Sequence, residues 1–358
     1  MSEPHSHSHL IPGVPLALGS ATLFGATPPL SKLLLNAVHP FMLAGLLYLG
    51  AGVGLAIYYG LRSRTDNANE AKLTRADLPW LALAIGMGGV IAPVLLMFGL
   101  TLTTAASSAL LLNLEGLATM AIAWLVYKEN VDRRLLVGAF AILAGAILLS
   151  WEGTGVAFNL GAVLVAAACL AWGLDNNFTR KISAADPVII AMLKGLVAGA
   201  VSISLAWLAG AALPAPAMIG AAAAVGVFGI GVSLVMFILA LRHLGTARTG
   251  AYYSLSPFIG AVLAIAFLGE SLTLKLLVAG LLMAIGLWLH LSERHDHEHV
   301  HEALEHEHAH VHDAHHQHAH DGPVTEPHSH WHRHERLRHK HPHYPDLHHR
   351  HGHGKAAS

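Results

Sequence analysis

The sequence predicts an all-α polytopic membrane protein: ten transmembrane helices arranged as two inverted five-helix repeats, followed by a disordered, His-rich cytoplasmic tail. Three observations predict it. Hydrophobic residues make up 54% of the 358 and charged residues only 12%, and the charges crowd into short connections and one tail, so the long runs between them suit lipid as solvent. Next, the stretch Leu102–Glu129 (LTTAASSALLLNLEGLATMAIAWLVYKE) recurs as Leu244–Glu270 (LGTARTGAYYSLSPFIGAVLAIAFLGE). Ala109 falls on Ala251 and Glu129 on Glu270, with one residue slipped where Leu114-Glu115-Gly116 meets Ser256-Pro257. A duplication on this scale is the mark of a membrane bundle built from paired halves. Finally, residues 295–353 hold 23 of the 29 histidines, a composition from which no apolar core can form.

Residues 1–10 form a short segment with His5, His7 and His9 but no Lys or Arg, so it lacks the basic region of a cleavable signal peptide. Hydropathy and punctuation then place spans at about 14–35, 40–61, 78–100, 103–127 and 133–151 in a first repeat (11–151), and at 159–180, 187–209, 217–241, 245–269 and 273–291 in a second (156–291). Each is near the roughly 20 residues that cross about 30 Å of hydrocarbon. Ten spans put both termini on one side. Arg62, Arg64, Lys72, Arg75, Lys128, Arg133, Arg134, Arg180, Lys181, Arg242 and Arg248 fall in the connections of one face, against Lys32 and Lys275 on the other. The positive-inside rule therefore makes both termini cytoplasmic in an integral protein of the bacterial inner (plasma) membrane. Five spans per half force the halves into opposite orientations. Pro28-Pro29, Pro93 and Pro257 are expected inside spans, where each removes backbone hydrogen bonds that something else must satisfy. The single cysteine, Cys169, lies in an apolar run and is expected to pack.

Charge inside the hydrocarbon is the pointer to mechanism, because an ionised side chain at mid-membrane costs about 3 kcal/mol on insertion scales. Glu115 lies about 12 residues from either end of its span and reads as a protonatable carboxylate or a neutral, hydrogen-bonded helix contact. Asp175, followed by Asn176 and Asn177, precedes Arg180-Lys181 by about a turn and a half. Lys194 enters the next span from the same face, so Asp175 and Lys194 sit at similar depth on consecutive antiparallel helices and can pair, as a structural ion pair or as a gate. Asn113, Trp172, Asn176, Tyr252, Tyr253 and Pro257 are the remaining candidates for a cavity wall. No HExxH, GxSxG or phosphate-binding glycine loop appears in a fitting context, so no enzyme is expected. A net charge of -1 gives no reason to expect a nucleic-acid partner.

The TTAASSALL…E segment, its partner TARTGAYYSLSPFIGAVLAIAFLGES, and the WGLDNNFTRKISAADP block opening the second half resemble the drug/metabolite transporter superfamily, specifically its EamA-type permeases. The likeness covers nearly all of residues 11–291. It implies ten helices, a central substrate cavity between two repeats, and alternating access that moves a small molecule without ATP. Such repeats commonly carry a proline where the second copy has Pro257, and the first copy has Glu115-Gly116 instead.

The tail, 292–358, is dense in metal-ligating imidazole: His295, His297, His299, His301, His306, His308, His310 and His312; His315, His316, His318 and His320; His328, His330, His332 and His334; His339, His341, His343, His348, His349, His351 and His353. Neutral imidazoles suit Zn, Ni, Co or Cu. Two classes of function stay open. The leading expectation is a secondary permease for a small organic metabolite, embedded in the lipid bilayer, needing no cofactor for transport, with a metal-binding tail and an architecture compatible with a homodimer. The alternatives are a divalent-metal exporter fed by the tail and a metal-responsive membrane sensor that transports nothing.

Overall fold

The computed structural model describes residues 13–62, 73–127, 133–151, 158–182 and 185–291, together with four segments of the tail. Helices α1 (Gly13–Gly25) and α2 (Thr27–Leu34) follow one another with only Ala26 between them. The i→i−4 ladder continues through the joint, Ala26 N donating to Thr22 O and Leu30 N to Ala26 O. Then come α3 (Pro40–Arg62), α4 (Leu78–Ala84), a π-helical turn (Ile85–Ile91), α5 (Ala92–Leu102), α6 (Ala105–Leu111), α7 (Leu114–Tyr127) and α8 (Arg133–Ser150). The second half repeats the order with α9 (Leu160–Lys181), α10 (Pro187–Leu208), α11 (Pro216–Val225), a second π-helical turn (Gly226–Val232), α12 (Ser233–Tyr253), α13 (Ser256–Leu268) and α14 (Leu274–Leu291).

Among the described residues nine stretches are helical, apolar and long enough to cross a membrane: Pro40–Leu61, Arg75–Leu102, Ala105–Val126, Arg133–Ser150, Leu160–Lys181, Pro187–Leu208, Pro216–Ala240, Arg248–Leu268 and Leu274–Leu291. They match nine of the ten expected spans to within two or three residues. The first expected span is not among them, because α1 and α2 are each shorter than a membrane crossing. Local chemistry fixes the boundaries. Thr104 in extended conformation accepts from Ser107 N at 3.1 Å and starts α6; Asn159 accepts from Ala162 N and starts α9; Asp186 accepts from Val188 N with Pro187 in the first turn of α10. Each oxygen satisfies a helix N–H that has no partner within the helix. Pro28-Pro29, Pro93 and Pro257 each sit in the first turn of a helical segment, and the carbonyl that Pro93 leaves without a backbone donor, Gly88 O, is met by Tyr48 and Trp172.

In α12 the rings of Phe237 and Tyr253 are 4.9 Å apart, yet sixteen residues of straight helix would separate them by about 24 Å. The chain therefore doubles back within this element, which is why Pro216–Ala240 and Arg248–Leu268 are two crossings.

Elements at matching places in the two halves meet antiparallel. α3 crosses α10 with Gly45 against Gly199 and Ile203 and Gly52 against Gly195 and Leu196. α8 crosses α14 with Gly138 against Gly286 and His290 and Gly145 against Ala279 and Met283. In each pair a side chain on glycine would run into the facing backbone, so the absent Cβ sets the approach. The main core lies where these crossings converge and includes Met42, Leu43, Leu47, Met97, Leu100, Leu111, Val165, Cys169 and Met283. Cys169 packs as expected, its Sγ donating to Leu111 O.

The described segments of the tail are strands, β1 (Asp296–His301), β2 (Leu304–His310), β3 (His328–His334) and β4 (Leu337–Pro342), pairing β1 with β4 and β2 with β3, both antiparallel. Histidine at every second position gives the tail the period of a strand. His295, His312, His315, His316, His318, His320, His343, His348, His349, His351 and His353, like Glu129, lie outside the described residues.

Candidate functional site

Four helices bring the candidate site together. Glu115 occupies the first turn of α7, just after the chain breaks at Leu112-Asn113. Thr119, one turn on, donates to Glu115 O and so presents its own oxygen on the same face. Across from them, Asn176 on α9 donates to Glu115 Oε1 at 3.0 Å and to Thr119 Oγ1 at 3.1 Å. Its neighbour Asn177 donates to Gly173 O and Thr119 O, tying α9 to α7. Among the described residues no salt bridge reaches Glu115. Among the described residues, the partner of the carboxylate is the Asn176 amide.

Asp175, only 4% exposed, is doubly bonded by Lys194 Nζ of α10, at 2.7 Å to Oδ1 and 2.6 Å to Oδ2, and accepts a third bond at 2.9 Å from Thr179 Oγ1. The pairing that their matched depth predicted is present. A bidentate contact of this length between buried charges offsets the cost of removing both from water. The third wall is the first π-helical turn. Gly88 O accepts from Tyr48 OH of α3 at 2.9 Å and from Trp172 Nε1 of α9 at 3.0 Å, and a side chain at Gly88 would overlap the Asp175 carboxylate. Tyr253 packs against Phe24 and Phe237.

The remaining predicted residues sit elsewhere. Asn113 turns back on its own helix end, its Nδ2 donating to Leu110 O and facing Met283 Sδ of α14. An amide at a helix break meets the loose carbonyls there before it can reach a cavity. Tyr252 packs with Val14, Leu16, Ala17, Ala240 and Leu244, and Pro257 opens α13. Sequence reasoning missed Tyr48, Gly88, Thr119 and Thr179. Thr119 and Thr179 had a signal, each standing four residues after a candidate carboxylate; Tyr48 had none.

A second polar junction closes one end of the bundle. Glu270, just past α13, accepts from Ala105 N at 2.7 Å and Ala106 N at 2.8 Å, the first free N–H groups of α6. Lys32 of α2 donates there to Leu100 O and Thr103 O. The residue that closed the repeat in sequence thus joins the end of one half to the middle of the other.

The EamA-like transporter family model matches residues 11–151 and 159–292, the two halves. The chain belongs to the EamA-like transporter family. As an EamA-type member of the drug/metabolite transporter superfamily it is an integral membrane transporter. It is 30% identical over 290 residues, 76% of this chain and 84% of the relative, to an uncharacterized transporter of Methanothermobacter thermautotrophicus. It is 23% identical over 260 residues, 70% of this chain and 81% of the relative, to the uncharacterized inner membrane transporter YedA of Escherichia coli K12. To the uncharacterized transporter YyaM of Bacillus subtilis it is 21% identical over 282 residues, 76% and 90% of the two chains. A crystal structure aligns at a TM-score of 0.57 with 20% identity, over 78% of this chain and 95% of that one, a likeness of fold.

Proposed function

We propose that this EamA-type permease is a secondary transporter of small organic metabolites that works by alternating access and couples to protons through Glu115. Its ten crossings, with α1 and α2 together as the first, form two inverted five-helix repeats, and both termini face the cytoplasm of a bacterial cell. The antiparallel meeting of α3 with α10 and of α8 with α14 supports the inversion. So does a correspondence of contacts: Gly25 of α1 lies on Gly260 of α13, and Gly173 of α9 lies on Ala118 of α7, in the other half.

One observation carries the mechanism. Glu115 is bonded by Asn176 and, among the described residues, by no cation, one helix over from a carboxylate that has one. Asp175 is paired with Lys194 and is a fixed element, whereas Glu115 is met by the Asn176 amide, a partner that a protonated carboxyl can keep. A proton taken on one side and released on the other is what exchange against a pH gradient requires. Glu115→Gln keeps an oxygen for Asn176 and should fold. In vesicles carrying the full chain and loaded with a pH-sensitive dye, an imposed pH step should drive proton uptake in the wild type and not in the variant. Equal uptake in both would make Glu115 structural. The tail is proposed to hold Zn, Ni, Co or Cu as a cytoplasmic buffer or regulator, supported by the alternation of imidazoles along its strands.

A further inference from the structure

The two π-helical turns, Ile85–Ile91 and Gly226–Val232, are separated by the same 141 residues that separate Glu129 from Glu270. They are one feature, present once per half, and each carries a glycine against a neighbouring helix: Gly88 against Asp175, Gly229 against Thr27. In the first turn the widened helix sends Ala92 N–H to Met87 O, five residues back. That leaves Gly88 O without its usual α-helical donor. The donor a π-helix would supply instead belongs to position 93, which is proline and has none. In the second half the equivalent position is Leu234, which keeps its N–H.

A carbonyl buried in lipid without a partner costs several kcal/mol, so the freed oxygen must find donors outside its own helix. It finds two, matching its two lone pairs: Tyr48 from the same half and Trp172 from the opposite half. The same glycine, lacking a side chain, leaves the space that the Asp175 carboxylate fills. We infer that Gly88 and Pro93 are positioning residues of the transport site: the proline frees the Gly88 carbonyl, and that carbonyl orients Trp172 and Tyr48 around the Asp175–Lys194 pair. The inference rests on the transport reading for its purpose but not for its geometry.

Pro93→Ala tests it without adding bulk beside Asp175. The new N–H at position 93 reaches Gly88 O if the turn stays π-helical, and Ala92 N–H reaches it if the turn relaxes to α. Either way a backbone donor competes with the indole. In the full chain, purified in detergent with 15N-labelled tryptophan, the Trp172 indole N–H resonance is identified by its loss in Trp172→Phe. In Pro93→Ala it should move upfield as its hydrogen bond weakens, and dye-reported proton uptake into vesicles after a pH step should fall several-fold. Gly88→Ala, which crowds Asp175, should lower uptake further. An indole resonance unmoved in Pro93→Ala overturns the inference, as does a moved resonance with uptake unchanged. Failure of the wild type itself to take up protons would sink the coupling role of Glu115 and leave the indole resonance to decide this proposal.

Discussion

Replacing Lys194 by Met removes one member of a buried pair and leaves the other in place. The lysine side chain is 17% exposed and that of Asp175 6%, so little water is at hand to replace the lost ammonium. Truncating one partner of a buried ion pair costs about 3–5 kcal/mol, because the remaining charge is left uncompensated. Thr179 still donates to Asp175 Oδ1, which places the expected loss at the lower end, about 3 kcal/mol. On the scale of soluble domains of roughly 150–250 residues, where 1 kcal/mol moves the midpoint by about 2–4 °C, this is a fall of about 6–12 °C. The assay is thermal unfolding in detergent followed by tryptophan fluorescence, with Asp175→Asn and the double variant alongside. The double variant removes both charges and should recover most of the loss, since neutral groups of similar volume replace buried pairs at little cost. A fall in Lys194→Met of less than about 1 kcal/mol, or a double variant as unstable as the sum of the singles, would refute the view that Asp175 depends on this lysine.

Glu270→Ala strips two backbone N–H groups of α6 of a charged acceptor and should lower stability by about 2–3 kcal/mol, read in the same unfolding assay; Glu270→Gln, which keeps one oxygen, should lose less. Titration calorimetry of the full chain should show several equivalents of Zn or Ni bound at neutral pH and released below about pH 6, because imidazole must be deprotonated to ligate and its reference pKa is about 6.5. No heat beyond that of a chain ending before residue 292 would remove the metal proposal. A reporter fused after Ser358 and active only outside the cytoplasm should stay silent; a signal would reverse the orientation and undo the charge-count argument.

The crossings were legible because the signal is physical and long. A membrane helix must be apolar over about 20 residues, and its caps, such as Asn159 and Asp186, are local. The Asp175–Lys194 pair was legible for the same reason, depth being a function of position along a helix. What depends on facing was not. Tyr252 and Tyr253 are adjacent, so they point about 100° apart on a helix: Tyr253 meets the rings of Phe24 and Phe237, while Tyr252 joins the Ala17, Ala240 and Leu244 cluster. Nothing in a hydropathy pattern separates a π-turn from an α-turn. The run Gly86-Met87-Gly88-Gly89 reads as ordinary small-residue packing until the partners of its carbonyls are known. Glu270 was visible as the end of a repeat, but its partners lie 164 and 165 residues earlier, a distance no local rule spans.

The lone cysteine makes the natural chain its own background for thiol chemistry. Cys169 is 0% exposed and bonded to a backbone carbonyl, so a maleimide added to the folded protein should find no thiol to react with. A second cysteine introduced at Thr119 beside Glu115, or at Ser107 in the first turn of α6 that Glu270 caps, would be the one that such a reagent meets. Comparing reagents that do and do not cross the bilayer would then tell from which compartment each place is wet. No native residue need be removed first.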